Sequence, residues 1–107
     1  MNTTITTTTR SCVASQNSIG RGPSSLCVEN TASGGNLATA MNNCGSKNMK
    51  ICSTSQYALI CATAPASIAT ATDHWTADGT IANCSGAIFT TTTTTTLTDA
   101  KQYRCCK

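Results

Sequence analysis

Eight cysteines, Cys12, Cys27, Cys44, Cys52, Cys61, Cys84, Cys105 and Cys106, punctuate a chain of 107 residues that has one histidine and four acidic residues. An even count in so short a chain predicts a disulfide framework and an oxidising environment. A zinc site fits poorly, because its ligands usually come in close pairs such as C-x-x-C and the sequence has none. His74 is the lone histidine and completes no Cys/His set. Eight free thiols would also be open to oxidation. The cysteines therefore read as crosslinks.

Composition makes crosslinks necessary. Large aliphatic residues are scarce, and the aromatics are one Phe, one Trp and two Tyr. Apolar burial contributes roughly 25 cal/mol per Å², so this core is small. Each bridge adds about 2–4 kcal/mol by restricting the unfolded chain, and four bridges rival the hydrophobic contribution. The length suits one domain. The net charge of +3 comes from scattered Lys and Arg without the dense patch that nucleic acid demands. No apolar run approaches the ~20 residues of a membrane span. The opening MNTTITTTTR has no hydrophobic core and does not read as a secretory signal peptide. A signal removed earlier, another export route, or release on a particle by lysis all remain open.

Two threonine tracts frame the chain. Thr3, Thr4, Ile5, Thr6, Thr7, Thr8 and Thr9 form the first; Thr90, Thr91, Thr92, Thr93, Thr94, Thr95 and Thr96 form the second. Thr is stiff at χ1 and favours extended backbone, so both read as strands. A run of identical residues has no period-two pattern and fixes pairing register weakly. Between the tracts, Leu37, Ala38, Ala40, Met41 and Cys44 predict a helix capped by Ser33 or Thr31 and stopped at Gly45. Met49 to Cys52 reads as a short extended link. Ser53-Thr54-Ser55-Gln56 has capping-box form and opens a second helix, with Tyr57, Ile60 and Cys61 on its buried face and Ala64-Pro65 as its end. Residues 66–86 read as polar and turn-rich. The closing segment reads as a strand, so Cys105 and Cys106 point to opposite faces and take different partners, one toward the helices and one toward an outer loop. The pairing itself is open among about 105 combinations.

The order of these parts resembles a known family. Cys27-Val28-Glu29, a short helix ending at Cys44, NMKICSTSQYALIC from Asn48 to Cys61, a Trp-bearing loop and a terminal Tyr103-Arg104-Cys105-Cys106 resemble a compact C-type-lectin-like domain. The nearer relatives are bacterial and phage modules of the formylglycine-generating-enzyme fold. Ser53 stands for that family's Thr, Gln56-Tyr57 for its Glu-Trp and Ile60-Cys61 for its Ala-Cys. The likeness covers about residues 26 to 107. It implies an α+β, small disulfide-rich lectin-like domain at residues 12–107, with two short helices packed on a twisted antiparallel sheet. Residues 1–11 read as an extended Thr-rich strand or tail before it, a candidate inter-subunit strand. The sugar-binding motifs of calcium-dependent lectins are missing, and Glu29, Asp73, Asp78 and Asp99 are too scattered for a site that wants six to eight oxygens.

No catalytic set stands out. A Cys–His pair would need a free thiolate near His74, whereas the even count pairs every thiol. No metal or other cofactor is expected. Asp73, His74, Trp75 and Asp78 form a candidate ligand loop, since an exposed Trp is a common anchor. The plainer reading has Trp75 filling the core and Asp78-Gly79 making a turn. The threonine tracts admit mucin-like stalks, an ice-binding face, ordinary surface strands, or assembly strands that add to a neighbour's sheet. The leading expectation is an extracellular or particle-borne structural protein that self-associates through those strands. An adhesin meeting glycan or a surface protein is the alternative, ice binding a remote third, and no nucleic-acid or membrane-spanning partner is expected.

Overall fold

A computed structural model describes residues 12–20, 25–64, 71–93 and 96–107. The first threonine tract, the rest of the 1–11 segment, and Thr94 and Thr95 lie outside them. The fold is α+β, with two helices and two sheets joined by four disulfides.

In chain order the elements are β1 (Gln16–Ile19), β2 (Leu26–Glu29), β3 (Ser33–Gly35), α1 (Leu37–Ser46), β4 (Lys50–Ile51), α2 (Thr54–Thr63), β5 (Ala71–Trp75), β6 (Ile81–Ser85), β7 (Ile88–Thr92), β8 (Lys101–Tyr103) and β9 (Cys105–Cys106). One sheet runs β1-β2-β9-β4 and is antiparallel throughout. The other runs β3-β8-β5-β6-β7 and contains a parallel β5–β8 pair. Sequence reasoning expects a single antiparallel sheet. The chain makes two because its last strand changes sheet at Arg104. Tyr103 pairs with Ser33 in the larger sheet, while Cys105 and Cys106 pair with Ile51 and Lys50 in the smaller.

Helix α2 forms as its sequence dictates. The Ser53 side chain accepts from the Gln56 N–H, and Gln56 returns an oxygen to the Ser53 N–H, which satisfies two otherwise orphan donors. Tyr57, Ile60 and Cys61 are buried. Helix α1 departs from expectation at both ends. Ser33 belongs to β3, so the N-cap is Asn36, whose Oδ1 accepts from the Thr39 N–H at 2.8 Å. Gly45 stays helical, because the left-handed residue that stops the helix is Asn48, at φ 57°. The Met49 N–H then closes onto the Cys44 carbonyl. Ala40 and Cys44 face inward, whereas Met41 is 59% exposed.

The helices cover opposite faces of the larger sheet. Trp75, Ile81 and Tyr103 pack with Ala40 and Cys44 of α1 in one cluster. Ala82 packs with Tyr57 and Ile60 of α2 in the other, which Ile19, Leu26 and Val28 of the smaller sheet complete. Cys61–Cys84 ties α2 to β6, and Cys12–Cys27 ties the entering chain to β2. Cys105 and Cys106 do take different partners. Cys105 bonds to Cys44 at the end of α1, and Cys106 bonds to Cys52 just before α2. Neither partner is an outer loop, because each face of β9 meets one helix terminus.

Candidate functional site

The segment read as a polar ligand loop is the β5–β6 hairpin. Its pairing slips by one residue between Ala71 and His74, where Asp73 adopts φ 51° and donates its N–H to Asn83 Oδ1 at 2.9 Å. A bulge of one residue inverts the faces of everything beyond it. It therefore sends His74 toward α2 and Trp75 toward α1. Trp75 is 0% exposed, and its indole N–H donates to the Gly35 carbonyl at 3.1 Å. His74 is equally buried. Asp78 reaches back to α2, where Oδ2 accepts from the Thr54 N–H at 3.0 Å and the Thr54 hydroxyl at 2.6 Å. These hydrogen bonds hold the Asp78 carboxyl below the usual carboxylate range. The turn is the Asp78-Gly79 one, with Gly79 at φ 81°. Of the four residues, only Asp73 and Asp78 face solvent. The hairpin's Trp fills the core, so the hairpin presents no aromatic side chain to solvent.

A buried polar group that the sequence did not announce lies where the two sheets meet. The Arg104 N–H donates to the Tyr57 hydroxyl at 2.9 Å, and its Nη1 donates to the Glu29 carbonyl at 2.7 Å. The Glu29 carboxylate accepts from the Cys105 N–H at 3.1 Å and from Lys47 Nζ at 2.7 Å. The His74 ring lies 5.7 Å from the Tyr57 ring, and neither of its nitrogens has a hydrogen-bond partner. Burial, reinforced by the Arg104 charge and opposed by Asp73, lowers the His74 pKa from 6.5 to about 4. His74 is thus neutral at pH 7. Burial also raises the Tyr57 pKa, against the pull of Arg104, and lowers that of Arg104. The one signal in the sequence was charge scarcity: Glu29 is one of four acidic residues and directly follows Leu26-Cys27-Val28, and Arg104 stands between Tyr103 and the Cys105-Cys106 pair.

This group joins β2, α1, α2 and the step between β8 and β9. The cysteines contain no free thiol for His74 to activate. Among the described residues no cluster of three His, Cys, Asp or Glu could hold a metal. A cleft of about 680 Å³ opens beside the joint, lined by Val13, Gln16, Glu29, Lys47, Met49 and Lys107. Its one carboxylate is already engaged by Lys47.

The surface feature that stands apart is β7. It is the end strand of the larger sheet, bonded to β6 on one side, and among the described residues no strand pairs with its other side. Its sequence, Ile-Phe-Thr-Thr-Thr, carries neither charge nor proline. Its register with β6 is regular from Ile88 to Thr92, without a bulge. Charge, proline and bulges are the devices that normally blunt an edge. Among the described residues of the second threonine tract, Thr90 to Thr92 belong to β7 and Thr93 and Thr96 to no strand.

No family model, curated protein or solved structure matches the chain.

Proposed function

We propose that the chain is an extracellular structural protein that self-assembles by β-strand pairing into a filament or a particle appendage. The observation that carries this reading is the regular, uncharged edge of β7, which is unpaired among the described residues. An open edge presents a row of backbone donors and acceptors that another extended segment satisfies. Thr3 to Thr9 is rich in β-branched residues that favour extended backbone, and this proposal makes it the donor. Donor and acceptor are different surfaces, so the contact is heterologous and propagates. Four disulfides suit a body that works in an oxidising environment. Among the described residues no helix is long and apolar enough to cross a membrane. The order Asn48 to Cys61 followed by Tyr103 to Cys106 supports a reduced C-type-lectin-like body within this proposal.

Deleting Met1 to Thr9 is expected to leave a folded monomer that no longer polymerises, read by sedimentation velocity and electron microscopy. A full-length protein that stays monomeric at high concentration would overturn the reading.

A further inference from the structure

We infer that Ile5 of one copy lies beside Ile88 of the next and sets the register of the added strand. This rests on the strand-addition reading and names the residues that make it specific. Ile88 is 69% exposed, the most open of the large hydrophobic side chains among the described residues. Its cross-strand partner inside the sheet is Ser85, which offers it no apolar cover. The alternation of β7 explains why. Phe89 turns toward the Cys61–Cys84 bridge and α2, so Ile88, Thr90 and Thr92 share the other face.

A pure threonine donor would pair equally well at every two-residue slip along this edge. The donor tract is not pure: Thr3-Thr4-Ile5-Thr6-Thr7-Thr8-Thr9 contains one apolar side chain. With period two, Ile5, Thr7 and Thr9 share a face. Taken in the same direction, they match Ile88, Thr90 and Thr92 residue for residue. A parallel pairing in this register sets Ile beside Ile and Thr beside Thr, and covers the exposed side chain of β7. Any other parallel register leaves Ile88 against a threonine, and an antiparallel Ile5–Ile88 pairing sets Met1 instead of a threonine beside Thr92. Cross-strand apolar pairs and same-face Thr pairs are the contacts that stabilise a sheet. No charge on either strand opposes the approach.

The test is a double-mutant cycle on the critical concentration for assembly, measured by sedimentation. Ile5→Thr and Ile88→Thr are each expected to raise it roughly tenfold, with the double variant no worse than either single one. The unfolding midpoint of the monomer should not change, since Ile88 contributes little to the folded core. Thr9→Lys should weaken assembly, and adding Thr92→Glu should restore it, because the parallel register puts these positions side by side. Additive effects in the cycle, or failure of the charge pair to rescue, would overturn the assigned register. Wild-type assembly of both isoleucine variants, alongside loss of assembly on deleting Met1 to Thr9, sinks this inference and leaves strand addition standing. Assembly that survives the deletion sinks strand addition itself.

Discussion

At pH 7 His74 is an uncharged ring held against Tyr57, with two nitrogens that bond to nothing. Burying unpartnered polar atoms is costly, so the side chain weakens the core that it fills. The cost grows in acid. The folded chain resists protonating His74 until about pH 4, whereas the unfolded chain takes up that proton near pH 6.5. Stability is therefore complete above about pH 6.5 and falls as pH drops toward 4. The loss is roughly 3 kcal/mol. Urea midpoints measured between pH 7 and pH 4 should trace this decline. His74→Leu should flatten it and raise the pH 7 midpoint; a slope that survives the substitution would assign the effect elsewhere. The residue type was legible in the sequence and its setting was not. A Thr72-Asp73 pair before His74 and Trp75 reads as polar loop. The bulge that turns both rings inward depends on a left-handed Asp73 held by Asn83 across the strand. No local pattern records such a contact.

Among the elements, legibility followed locality. Helix α2 could be placed from four consecutive residues, because its capping box closes within a single turn. The start of α1 was misplaced because Ser33, a sound cap by type, is drawn into β3 by its pairing with Tyr103, some 70 residues later. Strands β5 and β6 were missed altogether. Adjacent residues are buried on both faces at His74-Trp75 and Ile81-Ala82, while Thr72, Asp73 and Ser85 are exposed, so neither strand shows a regular alternation of apolar and polar residues. The β6–β7 hairpin has a local cost that the sequence does advertise. Gly86 and Ala87 both have positive φ, at 57° and 66°, as a two-residue turn of primed type requires. Alanine is strained there where glycine is not. Ala87→Gly is expected to stabilise the monomer by about 1 kcal/mol, seen as a higher thermal midpoint. An unchanged or lower midpoint would show that the turn is not strained in this way. The same hairpin presents β7, so the substitution should leave the assembly register as it was.

Across the whole molecule, the crosslinks divide by reach. Cys44–Cys105 and Cys52–Cys106 span 61 and 54 residues, against 15 for Cys12–Cys27 and 23 for Cys61–Cys84. Loop-closure entropy makes the long bridges worth about 4 kcal/mol each and the shortest about 3 kcal/mol. Paired alanine substitutions at Cys44 and Cys105 should therefore destabilise more than those at Cys12 and Cys27, as measured by denaturant unfolding. The reverse order would mean that the entering segment, and not the last strand, holds the body together. The cysteine count and the separate partners of Cys105 and Cys106 could be read from the sequence. The division into two sheets could not, since it depends on one residue, Arg104, at which the chain steps from one sheet to the other.

That step bears on how the molecule reaches its native state. Cys105 and Cys106 are neighbours on the chain and equal as nucleophiles until β9 has taken its place. Exchanging their partners would require a slip of one residue, turning the strand over and pulling the Cys105 N–H away from the Glu29 carboxylate. Backbone pairing thus proofreads the covalent chemistry. An oxidising folding pathway that closes these two bridges before β9 docks would trap an isomer with every cysteine paired and the two sheets wrongly joined.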